Sequence, residues 1–215
     1  MVVAWSIWLT RNKSRVNEPC TPLDKIFEAA HLTLSEYQTK TTPRQPMAPS
    51  VTVKWKPTRS DFYKVNYDGA VLKDSGEAGI GVVIRNEKGE VMGSLAEKIK
   101  KPDSVEVLEA LAARRAILFA TELGLQRVII EGDSEIVFQA VSEVCSVCSC
   151  IGHIIKDCKS ISGLFQTHSF SHTRRQGNAV AHALAKRARK SFPFLVWMES
   201  VPPDIAYLVH IDVIS

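Results

Sequence analysis

The order of its strand and helix signals restricts this chain to a small set of folds. Strand-forming sequence occupies 62–71, 79–86 and 91–99. The last two of these segments are joined by a short polar loop with a glycine, Glu87–Glu90, which is typical of a hairpin. A long amphipathic helix is then predicted between Pro102 and Gly124, and a run of Val and Ile at 127–131 indicates a buried strand.

The remaining signals complete an α/β pattern. Helices are predicted at 134–141, 151–165 and 178–190, with a strand at 167–173. Together these elements predict a five-stranded mixed sheet with helices on both faces. The chain is divided into a helical leader at 1–40, a proline-rich linker at 41–60, a main domain at 61–190 and a C-terminal tail at 191–215.

The composition is that of a globular protein, with 45% hydrophobic and 23% charged residues. No apolar run approaches the ~20 residues that cross a bilayer, so we expect no membrane partner. Five cysteines, an odd number, favour an intracellular, reducing compartment over a secreted disulfide scaffold. The net charge of +4 does not by itself indicate nucleic acid, but 170–190 contains six Lys or Arg residues and no Asp or Glu.

Three acidic residues stand beside small or apolar residues. Asp68 precedes Gly69 in the first strand, Glu109 lies among alanines in the long helix, and Asp133 follows the strand at 127–131. Three converging carboxylates would repel one another unless cations joined them, and Mg²⁺ or Mn²⁺ suits carboxylate oxygens. Taken singly, each acid has a structural explanation, such as a helix cap or a solvated position. Their order along the chain favours a metal site.

Blocks of sequence resemble, in the same order, the ribonuclease H-like domains of plant retroelement-derived, reverse transcriptase-like proteins. The blocks are Lys64–Ala70, Gly79–Asn86, Glu109–Ala113, Glu131–Ser134 and Arg175–Ala185. The resemblance extends over about Trp55 to Ala188, and the leader segment Ala4–Trp8 is similar to what precedes this domain in such proteins. The resemblance of these blocks implies a ribonuclease H fold and hydrolysis of the RNA strand of RNA–DNA hybrids.

The resemblance also implies a site of four carboxylates that holds two metal ions. Asp68, Glu109 and Asp133 match the first three, and we assign them as catalytic residues and metal ligands. His182 is the fourth catalytic candidate, because it stands on the last helix where the fourth carboxylate is expected. A neutral imidazole favours softer ions than Mg²⁺, so His182 is either a weak ligand or a helix residue with no ligand role.

Contacts with nucleic acid are predicted at Arg174, Arg175 and Asn178, beside the proposed site. The alternative is a solvated charged face. The basic protrusion of some family members has no counterpart here, because 142–152 contains no basic residue. His172 is expected in the last strand, which argues against a catalytic role in a mobile loop.

The spacing of Cys145, Cys148, His153 and Cys158 matches a zinc knuckle, a module that binds single-stranded nucleic acid. We favour coincidence, because no aromatic residue follows Cys145. The apolar stripe from Ile151 onward also predicts a helix with Cys158 in the core.

The leading hypothesis is a monomeric endonuclease that hydrolyses the RNA strand of RNA–DNA hybrids by two-metal catalysis with Mg²⁺ or Mn²⁺. One alternative is a domesticated nucleic-acid-binding module that has lost cleavage because of His182. Another is a retroelement relic with little or no expression.

Overall fold

A computed structural model describes residues 54–72, 75–142, 150–190 and 194–213, together with Arg11, Pro22 and Lys25. The chain divides into two compact units, Met1–Val51 and Thr52–Ser215. Apart from those three positions, the predicted leader and the predicted linker as far as 53 lie outside the described residues. Within the described ranges no helix combines the length and apolarity needed to cross a membrane.

Six strands form one mixed sheet in the second unit. They are β1 (Tyr63–Leu72), β2 (Glu77–Arg85), β3 (Val91–Lys100), β4 (Arg127–Gly132), β5 (Thr167–His172) and β6 (Phe194–Met198). Their order across the sheet is β5-β4-β1-β2-β3-β6. β4 pairs in parallel with both β1 and β5, whereas β1–β2, β2–β3 and β3–β6 are antiparallel. The pairing of β1 with both β2 and β4 makes it a central strand.

Five helices occur in the described part of this unit. They are α1 (Val105–Glu122), α2 (Glu135–Ser142), α3 (Gly152–Ser162), α4 (Ala179–Arg187) and α5 (Ala206–Val213). The hydroxyl of Ser104 caps α1 by accepting a hydrogen bond from the backbone N–H of Val107 at 3.3 Å. Gly124 follows the end of α1 with a φ of 70°, a conformation that glycine adopts without strain.

The helices cover both faces of the sheet. α1, α2 and α3 pack over a large apolar core that includes Val65, Leu108 and Ile117. α4 packs on the other face over a smaller cluster around Val83 and Leu184. The structure therefore has the α/β architecture that the sequence predicted, and the strands and helices predicted between 62 and 190 occur within a few residues of their expected positions.

The predicted number of strands is wrong, because the sheet has six strands and not five. The additional strand, β6, lies in the segment predicted as a C-terminal tail and pairs with β3. β6 is a short, uninterrupted apolar run, Phe194–Met198, and such a run has no alternation by which a strand could be recognised. The segment 191–215 thus contributes both β6 and α5 to the folded unit.

A buried cation ties the flanking segments to the sheet. The guanidinium of Arg85, 1% exposed, donates a hydrogen bond to Asp212 of α5 at 2.7 Å and lies 4.0 Å from the ring centroid of Trp55. Trp55 Nε1 and Arg85 Nη2 both donate to Asn66 Oδ1, at 3.0 Å and 3.3 Å. Trp55 falls in the predicted linker and Asp212 in the predicted tail, yet both pack into the domain.

α4 approaches β2 very closely at Gly81. A Cβ atom added there would lie 2.2 Å from the carbonyl oxygen of Ala181 and 2.3 Å from the backbone nitrogen of Ala185. Because these are backbone atoms, we expect Gly81→Ala to displace α4 and to lower the free energy of unfolding by about 1–3 kcal/mol or more. Urea denaturation measures this change.

Gly163→Ala is the comparison variant, because a Cβ there would lie 3.2 Å from the carbonyl oxygen of Ser160, a tight contact but not an overlap. Its loss in the free energy of unfolding should be clearly smaller than that of Gly81→Ala. Equal losses in the Gly81 and Gly163 variants would contradict this account of how α4 packs.

Candidate active site

The parallel pairing of β1 with β4 brings two of the acids to the same end of the sheet. Asn66 lies opposite Glu131 in this pairing. Asp68 and Asp133 stand two residues further along each chain segment, and therefore on the same side of the sheet. Gly132 permits this arrangement, because a Cβ there would lie 2.4 Å from Cζ of Tyr67.

The second turn of α1 supplies Glu109. Gly69 lets α1 come close to β1, since a Cβ at Gly69 would lie 2.6 Å from Cγ of Leu108. The backbone N–H of Gly69 favours the ionised form of the Glu109 carboxylate and so lowers its pKa. One oxygen from each of Asp68, Glu109 and Asp133 consequently lies within 4.8 Å of the others. The structure thus brings together the three acids that the sequence assigned as ligands.

Burial and mutual repulsion destabilise the ionised form of this cluster. Burial first, and then the charges of Asp68 and Asp133, raise the pKa of Glu109 to about 9. Burial and the charge of Asp68 also raise the pKa of Asp133. Oε2 of Glu109 is buried without a hydrogen-bond partner. The three residues therefore fit a hard divalent cation, which would supply the missing partner and displace the Glu109 proton.

His182 lies on α4 and joins the cluster through Asp68. Its Nδ1 is 2.5 Å from Oδ2 of Asp68. Nη2 of Arg175 lies 3.0 Å from Nε2 and 3.5 Å from Nδ1 of the same ring. The side chain that stands in the position of the expected fourth carboxylate thus contacts a predicted metal ligand and a cation at the same time.

The three predicted nucleic-acid contacts are placed differently from one another. Arg174 is exposed, as a phosphate contact requires, and Arg175 is exposed but directed to His182. Asn178 is 1% exposed, and its Nδ2 donates to the carbonyl oxygen of Tyr67 at 2.7 Å. The structure therefore turns Asn178 inward, where it attaches the start of α4 to β1 next to Asp68, and a direct nucleic-acid contact is not available to it.

The other candidate residues lie outside the acid cluster. His172 is the last residue of β5, and its Nε2 lies 3.2 Å from the carbonyl oxygen of Asp133. Cys158 is fully buried on α3, as predicted, and burial raises the pKa of its thiol to about 12. His153 is exposed on the same helix. Cys145 and Cys148 lie outside the described residues, so the expectation that the zinc-knuckle spacing is coincidental stays a prediction.

Two features beside the site were not assigned a role from the sequence. The buried ring of Tyr67 packs against Gly132, and burial together with the charge of Glu109 raises its pKa well above the ordinary range. Glu131 accepts hydrogen bonds from Lys64 Nζ at 3.2 Å and from Asn66 Nδ2 at 3.0 Å. The alternation of polar Lys64 and Asn66 with apolar neighbours in β1 was the available signal, but it reads equally as a solvated strand face.

Comparison with known proteins identifies the family and the fold of this domain. A family model described as "Reverse transcriptase-like" matches residues 66–188, more than half of the chain. The chain belongs to the reverse transcriptase-like family. A search of curated proteins finds no match to it.

Solved ribonuclease H structures have the same fold as this reverse transcriptase-like domain. RNase H1 from the halophilic archaeon Halobacterium salinarum superposes with a TM-score of 0.56 at 22% identity, covering 60% of this chain and 98% of that one. LC11-RNase H1, isolated from compost by a metagenomic approach, gives 0.53 at 26% identity over 60% and 95%. LC11-RNase H1 in complex with an RNA/DNA hybrid gives 0.52 at 25% identity over 58% and 94%.

The raised pKa of Glu109 makes the stability of the metal-free protein depend on pH. Because the folded-state pKa lies above the unfolded one, Glu109 favours folding below its ordinary pKa, and this contribution is lost as pH rises towards about 9. In EDTA, we expect Glu109→Gln to be as stable as wild type at about pH 5 and more stable than wild type at about pH 8. The difference between their free energies of unfolding should grow by at most about 1.4 kcal/mol per pH unit.

Urea denaturation at the two pH values measures this gap, and Glu135→Gln on the exposed start of α2 is the control. Added Mg²⁺ or Mn²⁺ should stabilise wild type more than Glu109→Gln. A difference between wild type and Glu109→Gln that does not change with pH would argue against a buried, repelled carboxylate.

Proposed function

We propose that this domain is an endonuclease that hydrolyses the RNA strand of RNA–DNA hybrids, with Mg²⁺ or Mn²⁺ as its cofactor. The observation that carries this proposal is the convergence of Asp68, Glu109 and Asp133 within 4.8 Å. A partnerless buried oxygen on Glu109 and the raised pKa values of Glu109 and Asp133 support a cation as the missing partner. The complex of LC11-RNase H1 with an RNA/DNA hybrid supports the substrate class.

The three acids would hold the ion from three different elements. Asp68 would supply an oxygen from β1, Asp133 from the residue after β4, and Glu109 from α1, where the Gly69 N–H favours the ionised carboxylate. A bound divalent cation would activate a water and stabilise negative charge on the phosphodiester oxygens. Because burial and the neighbouring charges raise the pKa of Glu109, ion binding would be coupled to the loss of its proton.

The surroundings of the cluster fit contact with a charged duplex. Arg174 is exposed in the loop that follows β5, and Thr173 in that loop is hydrogen-bonded through its N–H to Gly132 O at 3.0 Å. This loop is therefore fixed beside Asp133, so a phosphate bound by Arg174 would lie close to the acids. Discrimination of RNA from DNA would rest on the 2′-hydroxyl and the shape of the minor groove.

The second candidate function is a nucleic-acid-binding module that does not cleave. The observation that favours it is the contact of His182 with Asp68, because an imidazole now occupies a carboxylate oxygen that a catalytic ion would otherwise share. Such a module would retain the fold and the basic residues. Cleavage and binding assays on the same variants separate the two candidates.

Asp68→Asn tests the metal assignment. Replacing a charged oxygen by an amide weakens the hold on the cation, so cleavage of a labelled hybrid should fall by at least about 100-fold, as when a group that stabilises transition-state charge is removed. Hybrid binding in a gel-shift assay should remain close to wild type, because phosphate contacts dominate affinity. The control is Asp103→Asn, an exposed acid outside the cluster. Cleavage by Asp68→Asn at the wild-type rate would remove the basis of the nuclease proposal.

His182→Asp separates a weakened enzyme from a binding module. The added carboxylate supplies a hard oxygen donor and one negative charge, so Mg²⁺-dependent cleavage should rise by about 10-fold or more, an effect of roughly 1.4 kcal/mol on the barrier. In the wild type, Mn²⁺ should support faster cleavage than Mg²⁺, because Mg²⁺ demands near-ideal octahedral coordination that a site with three acids supplies less completely. If neither protein cleaves with either metal and both bind hybrid, the binding module is the correct assignment.

A monomeric state, an origin in a plant retroelement and an intracellular, reducing compartment remain predictions from the sequence. Size-exclusion chromatography with light scattering tests the first of these.

A further inference from the structure

His182 occupies one of the two oxygens through which Asp68 can bind cations. Its Nδ1 lies 2.5 Å from Asp68 Oδ2, and its Nε2 lies 3.0 Å from Nη2 of Arg175. We propose that the His182–Arg175 pair takes the place of a second cation, so that the acid cluster binds a single divalent ion. This proposal rests on Asp68, Glu109 and Asp133 being the metal ligands, and it replaces the two ions that the family resemblance predicts.

The Asp68 contact decides that Nδ1 of His182 carries a proton. An ionised carboxylate can only accept hydrogen bonds, so Nδ1 donates to Oδ2 of Asp68. Nη2 of Arg175 lies 3.0 Å from Nε2 and 3.5 Å from Nδ1, which places the guanidinium against the face of the ring. Nδ1 is therefore unavailable to a metal ion, and a positive charge lies next to Nε2. His182 is therefore a positioning residue that holds Asp68 by one oxygen.

A second ion would lack protein ligands. The two ions of a two-metal site lie about 3.5–4 Å apart and repel each other, so they need more negative charge than one ion does. The hydrogen bond from His182 Nδ1 makes Oδ2 of Asp68 a weaker donor to a second ion. In the part of the chain that the structure describes, the metal-binding group consists of Asp68, Glu109 and Asp133 with no fourth acid.

The charges around the cluster also favour one ion. When all are ionised, three carboxylates and the Arg175 guanidinium have a combined formal charge of minus two, which one divalent cation neutralises. Arg175 is close enough for its charge to act on both Glu109 and Asp133. The same charge would repel a second cation, most strongly near His182.

Mn²⁺ titrations of the full chain test the number of ions, with calorimetry for stoichiometry and electron paramagnetic resonance for coupling between ions. We expect one ion per wild-type chain and the spectrum of isolated Mn²⁺. His182→Asp adds a carboxylate and releases Asp68, so it should bind two ions with a spin-coupled spectrum. His182→Asn is the matched control, because it frees Asp68 without adding a negative charge. Arg175 still opposes a second cation in this variant, so it should bind one ion.

Substitution of two neighbouring arginines distinguishes a specific effect of Arg175 on metal binding from the effect of any nearby positive charge. Arg175→Ala should tighten Mn²⁺ binding several-fold, because a positive charge next to the ligands no longer opposes the ion. Arg174→Ala removes an exposed charge of the same kind from the adjacent position and should leave Mn²⁺ affinity close to wild type, because solvent screens it. Equal effects of the two substitutions would contradict a specific role for the His182–Arg175 pair.

Nitrogen-15 NMR of His182 provides a measurement on the wild-type chain alone. We expect a ring protonated on Nδ1 both before and after Mg²⁺ is added. Two ions on the wild type, one ion on folded His182→Asp, or an imidazole whose protonated nitrogen changes with Mg²⁺ would overturn the proposal. A wild-type chain that binds one ion but leaves hybrid intact would refute the nuclease function and leave the one-ion site standing. Failure to bind Mn²⁺ would refute both.

Discussion

Asp68, Glu109 and Asp133 repel one another within 4.8 Å in a partly buried space, and the surrounding structure is arranged around that repulsion. The parallel pairing of β1 with β4 fixes two of the acids, and the absence of a side chain at Gly69 lets α1 deliver the third. Burial and the charges of Asp68 and Asp133 raise the pKa of Glu109. The cluster can thus bind a cation, and protonation of Glu109 reduces the repulsion among the acids when no cation is bound.

α4 connects this site to the opposite face of the sheet. It rests on β2 at Gly81 and is attached to β1 through Asn178, and it carries His182 to Asp68. The same helix is therefore both a packing element and the source of the side chain that modifies the acid cluster. A change in how α4 packs would alter the position of His182, which couples the stability of the domain to the chemistry of its site.

Patterns within short segments revealed most of the fold, since β1 to β5 and α1 to α4 each leave a local signal of alternation, helical spacing or capping. The three acids were also recognisable, because each sits in a distinctive block of neighbours. The inward turn of Asn178, the contact of His182 with Asp68 and the burial of Arg85 were not. Each of these features joins residues that are far apart in the chain. Asn178 and Tyr67 are separated by 111 positions, His182 and Asp68 by 114, and Arg85 and Asp212 by 127. A single sequence has no local pattern that reports such partners.

The enclosure of Arg85 sets the length of chain that this domain needs in order to fold. The family match covers 66–188, whereas Trp55 and Asp212, which stack on and pair with the buried guanidinium, lie outside it. A segment cut at the edges of the match would lose the salt-bridge partner of Arg85, and breaking a buried ion pair costs about 3–5 kcal/mol. That is a large part of the stability of an ordinary domain. The folding unit is therefore longer than the segment that the family model matches.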